Sequence, residues 1–544
     1  MTQLFSSEEI ARYKANGWWR DTTYLDDFDA QVRARPDQLA IVSHRAGADG
    51  EPHHLTYAEL DRHVNRMASA LVGLGLQRGE AVSMQLPNGW QFAALVMACA
   101  RAGLVANPLV PIFRHREMTF ILERTGARFC VVPRTFRGYD HGAMLEQIQA
   151  DLPALEHALV LGESFDDIVL GRTWEDDVDL AGRALTADEL AEIQFTSGTT
   201  GEPKGVQHTP NTIYGGARGM FELSGLKAGE VIHMASTLAH QTGFLYGLVM
   251  PLSQGMTVVY QDVWDADAFL DLVEGYGISF SMGATPFVVD SVDAQQRKAR
   301  GVDSLRLFGC GGAPIPPHVV RDAADVLGCA LIAVWGMTEN AIVTTTRPTD
   351  PVEIVSASDG IAVPWMEIRV VDDDGRELPV GETGRLQVRG ANQTPGYYKR
   401  PDLYDEALVA ATDDGVAWFD SGDLAWRRED GGIRISGRRK DLIIRGGENV
   451  PVVEVENVLY THPKVKELAV VGYPDDRLGE RACAVVVPED QADPPTLAEL
   501  TATLGDAGMA KQFWPERLEV VAEMPKTPSG KIQKFQLRDR LTSA

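Results

Sequence analysis

The stretch QFTSGTTGEPKGV, from Gln194 to Val206, carries glycines at Gly198, Gly201 and Gly205, hydroxyls at Thr196, Ser197, Thr199 and Thr200, and a single cation at Lys204. The apolar run that leads into it reads as a strand entering a loop. Glycines let backbone N–H groups come close to ligand oxygens, the hydroxyls donate further hydrogen bonds, and the lysine offsets negative charge. This loop suits a polyphosphate. Lys204 stands three residues after Gly201 and is followed by Gly205, so the spacing fails the GxxxxGK[ST] pattern of P-loop kinases.

Outward from this loop, AVSMQL, RFCVV, EHALVLG, EVIHMAS, MTVVY, LRLFGCGG and ALIAVWG are short apolar runs separated by helical patterns. That alternation predicts a doubly wound α/β protein. LTYAELDRHVNRMASALVGLGL opens with Thr56 and Glu59 as a capping box and lines up Leu60, Val64, Met67 and Leu71 on one helical face. FAALVMACA, Phe92 to Ala100, reads as a buried helix, well short of the ~20 residues a membrane span needs. From about Pro364 to Ser436 the pattern shifts to strands around the Asp374-Gly375 and Asp430-Gly431 turns, which predicts a small β subdomain. Beyond Lys440 the order helix, strand, strand, helix, strand predicts a compact α+β unit. The expected division is a large domain over 1–440 and a small one over 441–544.

A chain of 544 residues suits two to four domains. Its formal net charge of −26 repels phosphate backbones and anionic lipids, which argues against nucleic acid and membrane surfaces as partners. Five scattered cysteines, Cys99, Cys130, Cys310, Cys329 and Cys483, show no CxxC pair or zinc spacing. The amino terminus lacks the features of a secretory signal, and the end LTSA matches no lipidation or peroxisomal address, so a cytoplasmic location is expected.

FTSGTTGEPKGV resembles the phosphate-binding signature of the adenylate-forming superfamily of acyl-CoA synthetases, peptide-synthetase adenylation domains and luciferases. Four further motifs follow in that family's order: GCGGAP (Gly309 to Pro314), WGMTE (Trp335 to Glu339), DSGDL (Asp420 to Leu424) with SGRRKDLIIRGGENV (Ser436 to Val450), and PKTPSGK (Pro525 to Lys531). The resemblance implies ATP, Mg²⁺ and CoA as ligands, with residues 441–544 as a mobile domain. Gly312, Ala313 and Pro314 would pass along the adenine. Trp335, where the family usually has tyrosine, would stack on the base, beside Gly336 and Met337. Thr338 would bond a phosphate oxygen and Glu339 would hold the metal. Asp423 and Arg438 would take the ribose hydroxyls, with Ser421 in place of the commoner threonine. Lys531 would reach the junction of carboxylate and α-phosphate, where its charge assists in-line attack. Asp441 would be the pivot of the small domain, and Gly446 with Gly447 would leave room for a thin thiol arm.

The motif after the phosphate loop, ASTLAHQTGFLYG (Ala235 to Gly247), lacks the aspartate with which peptide-synthetase domains pair an α-amino group. Amino acids are therefore disfavoured. His240 would lie between acid pocket and thiol tunnel. His240, Thr242, Gly243, Gly283, Gly311, Val334 and Ala341 are uncharged or small candidates for the pocket lining, which suits an apolar alicyclic, aromatic or short-to-medium aliphatic acid. The overall look is nearest to cyclohexanecarboxylate-type CoA ligases. Two alternatives stay open: loading of a carrier-protein phosphopantetheine instead of CoA, and a non-catalytic nucleotide or acyl-adenylate binding module. Oligomeric state is also open, a homodimer included.

Overall fold

Short β-branched runs that are buried along their whole length, such as TVVYQ (Thr257–Gln261) and FCVVP (Phe129–Pro133), form sheets covered on both faces. The computed structural model describes residues 4–47, 51–196, 202–312, 315–409, 416–445, 448–475, 477–526 and 532–543.

Two large sheets dominate. In the first, the strands run in the spatial order Lys204–His208, Glu192–Thr196, Val105–Pro108, Ala81–Met84, Phe129–Pro133 and His157–Leu161; all neighbours are parallel except the first pair. The second has nine strands, with a parallel centre that includes Val231–Met234, Ile278–Gly283, Leu307–Gly311 and Ala330–Met337, and antiparallel strands at both edges. The helix Trp90–Ala102 contacts strands of both sheets. Its residues from Phe92 to Ala100 are all buried, as their unbroken apolar run requires. Tyr57–Gly73 packs on it, and the predicted box is present: the Thr56 hydroxyl accepts from the Glu59 amide, and the Glu59 carboxylate accepts from the Thr56 amide.

Met366–Val371, Thr383–Gly390, Leu408–Val409, Trp418–Arg427 and Ile433–Arg438 make a separate antiparallel sheet. The turn through Gly431, at φ +85°, joins its last two strands. After the 3₁₀ turn Arg439–Asp441, the chain builds another sheet around the long pair Val465–Asp475 and Gly479–Pro488, with Arg517–Val520 parallel to the latter. One face of that sheet packs against Val452–Leu459 and Leu497–Asp506, the other against Leu537 and Leu541. The mixed α/β architecture, with a large amino-terminal part and a small carboxy-terminal one, follows the sequence expectation. All five cysteines are free and buried, and burial raises their pKa values, about 12 for Cys310, so none is a thiolate at neutral pH.

Glu192 was not singled out by its sequence. It sits fully buried on the strand that feeds the phosphate loop; Gln194 Nε2 donates to its Oε1 at 3.3 Å, Gln241 faces it, and its Oε2 has no partner among the described residues. Burial pushes its pKa up from 4.5 to about 8, so the folded protein holds it as a neutral acid near pH 7. Below pH 4.5 the folded and unfolded chains both keep this proton; between 4.5 and about 8 only the unfolded chain loses it, so folding is progressively penalised. Glu192→Gln removes that penalty. In urea unfolding, the stability of the variant relative to the parent should rise from pH 5 to pH 8. An equal difference at both pH values would show that Glu192 is ionised in the folded state.

Candidate active site

Thr196 and Lys204 face each other across an antiparallel pair formed by Glu192–Thr196 and Lys204–His208, and the next helix begins only at Pro210. A third segment clamps this strand pair. Tyr398 N donates to Gly205 O at 2.7 Å, Gln207 N to Gly396 O at 3.2 Å, and Val206 pairs with Tyr397 in an antiparallel bridge. The Lys204 ammonium lies 4.9 Å from the centre of the Tyr397 ring, a cation–π distance. Ser197, Gly198, Thr199, Thr200 and Gly201 lie outside the described residues.

Three parallel strands end side by side in the other sheet. Gly283 pairs in register with Cys310 and Gly311 with Val334, which brings three of the proposed acid-pocket residues to one carboxyl edge, where α/β sheets bind ligands. A Cβ on Gly311 would stand 2.5 Å from Val334 O, and one on Gly336 only 1.8 Å from Ala341 O, so both positions require glycine. Ala341 itself takes φ +51°, an uncommon conformation for alanine. It meets Leu245 at Gly216, where an added Cβ would lie 2.8 and 2.9 Å from the two side chains. Leu245 belongs to the π-helix Gly243–Val249 that follows His240 and Thr242, both half-buried. π-Helical turns recur at functional sites. His240, Thr242 and Gly243 thus sit on a segment packed against the Ala341 edge.

Thr338 and Glu339 follow the strand Ala330–Met337. Glu339 is only 7% exposed, and the Tyr397 hydroxyl donates to its Oε1 at 2.8 Å. Burial raises the Glu339 pKa, while the Tyr397 bond and the charge of Lys204 oppose the rise. Thr394 N donates to Glu339 O at 2.6 Å, and the fully buried His208 donates from Nε2 to Thr338 O at 2.7 Å. Burial lowers the His208 pKa to about 4, so the ring is neutral and its Nε2 carries the proton to make that bond. His208, Thr394 and Tyr397 were not among the sequence candidates. A histidine four residues past Lys204 and the pair Tyr397-Tyr398 were the available signals, and neither has meaning until the fold joins them to Glu339.

The ribose candidates form a second group. Asp423 and Arg438 are opposite each other in register, with Arg438 Nε 3.4 Å from Asp423 Oδ1. Ser421 Oγ accepts from Asp423 N at 3.2 Å. Trp335 Nε1 donates to Asp423 Oδ2 at 2.9 Å, a bond its sequence gave no reason to expect. Gly312 follows the strand Leu307–Gly311. Asp441 ends the 3₁₀ turn between Ile433–Arg438 and Ile443–Arg445. Ala313, Pro314, Gly446, Gly447 and Lys531 lie outside the described residues.

Among the described residues, no group of three His, Cys, Asp or Glu side chains is placed to hold a metal. The buried Glu339 carboxylate fits Mg²⁺ nonetheless. Mg²⁺ takes hard oxygens, commonly one or two carboxylates with the rest from water and substrate phosphates. If Tyr397 orients the buried Glu339 for this purpose, Tyr397→Phe leaves a carboxylate oxygen without its donor. Adenylation should then fall by about tenfold, with a higher Mg²⁺ concentration needed for half-maximal rate. An unchanged rate and Mg²⁺ dependence would remove Tyr397 from the site.

Comparison with known proteins gives concordant results. Residues 28–398 match the family model of AMP-binding enzymes and residues 454–531 that of the AMP-binding enzyme C-terminal domain. The chain is 35% identical over 542 residues to a medium-chain fatty-acid–CoA ligase of Escherichia coli strain K12, covering 99% of this chain and 94% of the relative. It is 32% identical over 538 residues to a 2,3-dihydroxybenzoate-AMP ligase of Bacillus subtilis strain 168, covering 98% and 97%. Among solved structures, ATP-bound MatB from Rhodopseudomonas palustris superposes with a TM-score of 0.82 at 28% identity, covering 95% of this chain and 99% of that one.

Proposed function

The chain belongs to the adenylate-forming, AMP-binding enzyme family, and from that premise we propose that it is an ATP-dependent carboxylic acid:CoA ligase that works through an acyl-adenylate. In the first step an oxygen of the substrate carboxylate attacks the α-phosphorus of ATP; the O–P bond forms as the bond to pyrophosphate breaks. In the second step the CoA thiol gives up its proton, its sulfur bonds to the acyl carbon, and AMP leaves with the electrons of the C–O bond.

The observation that carries this reading is the joining of the strand pair around the glycine loop to the end of the strand Ala330–Met337 through Lys204, Tyr397 and Glu339. In this reading Thr196, Ser197, Thr199, Thr200 and Lys204 hold the phosphates, and the Thr338 hydroxyl bonds an α-phosphate oxygen while His208 fixes its backbone. Glu339 would hold Mg²⁺, which when bound neutralises charge on the phosphate oxygens. Trp335 packs on the base, and Asp423 with Arg438 takes the ribose. Lys531, the last residue of the matched C-terminal region, offsets charge during attack. Turning of the small domain about Asp441 then brings Gly446 and Gly447 to the thiol path. ATP and CoA are cytoplasmic metabolites, which supports a cytoplasmic setting.

The proposed acid is apolar and uncharged apart from its carboxylate: alicyclic, aromatic or short-to-medium aliphatic. The Gly283, Gly311, Val334 and Ala341 edge supports this, since it offers no charged partner. The named substrates of the two relatives, a medium-chain fatty acid and an aromatic acid, also lie within that range. The dihydroxybenzoate relative is named as an AMP ligase and not as a CoA ligase, so transfer to a carrier-protein thiol stays as the second reading. A panel of cyclohexanecarboxylate, benzoate, aliphatic acids and α-amino acids, assayed for AMP release with and without CoA, tests both. Burial of an unpaired ammonium costs several kcal/mol, so kcat/KM for α-amino acids should be lower by about 100-fold or more. Preference for an α-amino acid would overturn the acid assignment. AMP release that CoA fails to accelerate would favour the carrier-protein reading.

A further inference from the structure

Trp335 occupies a bulged position. Opposite the strand Ala341–Thr345, Trp335 pairs with Thr344 but the next residue, Gly336, pairs with Ile342, so the register shifts between them. Such a bulge re-aims the side chains beside it. The indole, 9% exposed, lies in the nine-stranded sheet, yet its N–H reaches 2.9 Å to Oδ2 of Asp423 in the separate antiparallel sheet, 88 residues away. Asp423 has a side chain only 14% exposed, with Arg438 Nε 3.4 Å from its other oxygen and Ser421 Oγ bonded to its amide. The carboxylate is therefore oriented from both oxygens and from its backbone.

The chemistry of the donor matters. An indole N–H donates and accepts nothing, so it fixes an anionic acceptor without competing for hydroxyl protons. A carboxylate has room for about four hydrogen bonds, so an oriented Asp423 takes ligand hydroxyls alongside its protein donors. A phenylalanine ring at position 335 keeps an aromatic face for stacking but has no N–H.

We propose that Trp335 is a positioning residue for the sugar of the nucleotide: its indole N–H orients the Asp423 carboxylate toward a vicinal ribose diol. Base and sugar recognition are then coupled through a single side chain. This inference rests on the proposed function, in which Asp423 meets ribose, and it adds a role beyond stacking to a position where the family usually has tyrosine.

The test compares the affinities of ATP and 2′,3′-dideoxy-ATP, both with Mg²⁺, for the full-length parent and for W335F by titration calorimetry. Loss of one hydrogen bond to a charged group should weaken ATP by about tenfold and dideoxy-ATP by less than about twofold, so that the preference for the diol collapses. W335H, which retains a ring N–H, should recover part of that preference. Equal weakening of both nucleotides would assign Trp335 to stacking alone and overturn the inference, as would no weakening of either. A parent that binds both nucleotides equally would instead refute the ribose role of Asp423, and the inference would fall with it. If thermal unfolding shows W335F to be misfolded, the same ratio is read on W335M, which has no hydrogen-bond donor and should show the same collapse of the diol preference.

Discussion

The hydrogen bond from Tyr397 to Glu339 is a side-chain link that ties the end of one large sheet to the edge of the other. Glu339 follows a strand of the nine-stranded sheet, whereas Tyr397 pairs with Val206 at the edge of the six-stranded one. A carboxylate at 7% exposure needs such a donor, because removal of one partner exposes the remaining group to the full cost of desolvation. The bond therefore helps fix where the strands Glu192–Thr196 and Lys204–His208 stand relative to the carboxyl edge formed by Gly283, Gly311 and Val334. Thr394 and His208 secure the same corner through backbone bonds, so Thr338 and Glu339 are held from several directions. In the proposed function, a site built in this way would meet phosphates with its groups already in place, which is the condition under which electrostatic stabilisation is most effective.

Charge makes that local order necessary. The chain carries a formal net charge of −26, while the proposed substrates ATP and CoA are themselves polyanions. Bulk attraction is absent, so in the proposed function their binding depends on cations and N–H groups at defined points. Lys204 stacks on Tyr397, and Arg438 stands across from Asp423. In the proposed mechanism Lys531 adds a third cation during the attack on phosphorus, before the small domain turns. The proposed acid pocket would work in the opposite sense, with small and uncharged residues at strand ends where an introduced charge would lack a partner among them.

Much of the architecture was legible because it follows from local periodicity. Runs such as TVVYQ and LFGCG became strands, FAALVMACA became a helix buried between sheets, and the Thr56 box capped the helix it was expected to cap. Roles that depend on contact across the fold were not legible. Nothing around Tyr397 announces that it will meet Glu339, and nothing in WGMTE shows that its indole will bond a residue 88 positions on. Glu192 was hidden for the same reason. Its strand lies between Lys204–His208 and Val105–Pro108, and only that pairing and the approach of Gln241 enclose it. The glycine loop likewise suggested a strand leading into a loop, whereas its return strand, Lys204–His208, appears only through pairing with Glu192–Thr196.

The central claim is that the acid is activated as an adenylate before any thiol takes part. Exchange of labelled pyrophosphate into ATP, measured with a suitable apolar acid and Mg²⁺ but no CoA, tests it most directly. Reversible adenylation predicts label in ATP that depends on the acid and does not depend on CoA. Exchange that requires CoA, or its absence with an acid that the enzyme demonstrably converts to a thioester, would contradict the account.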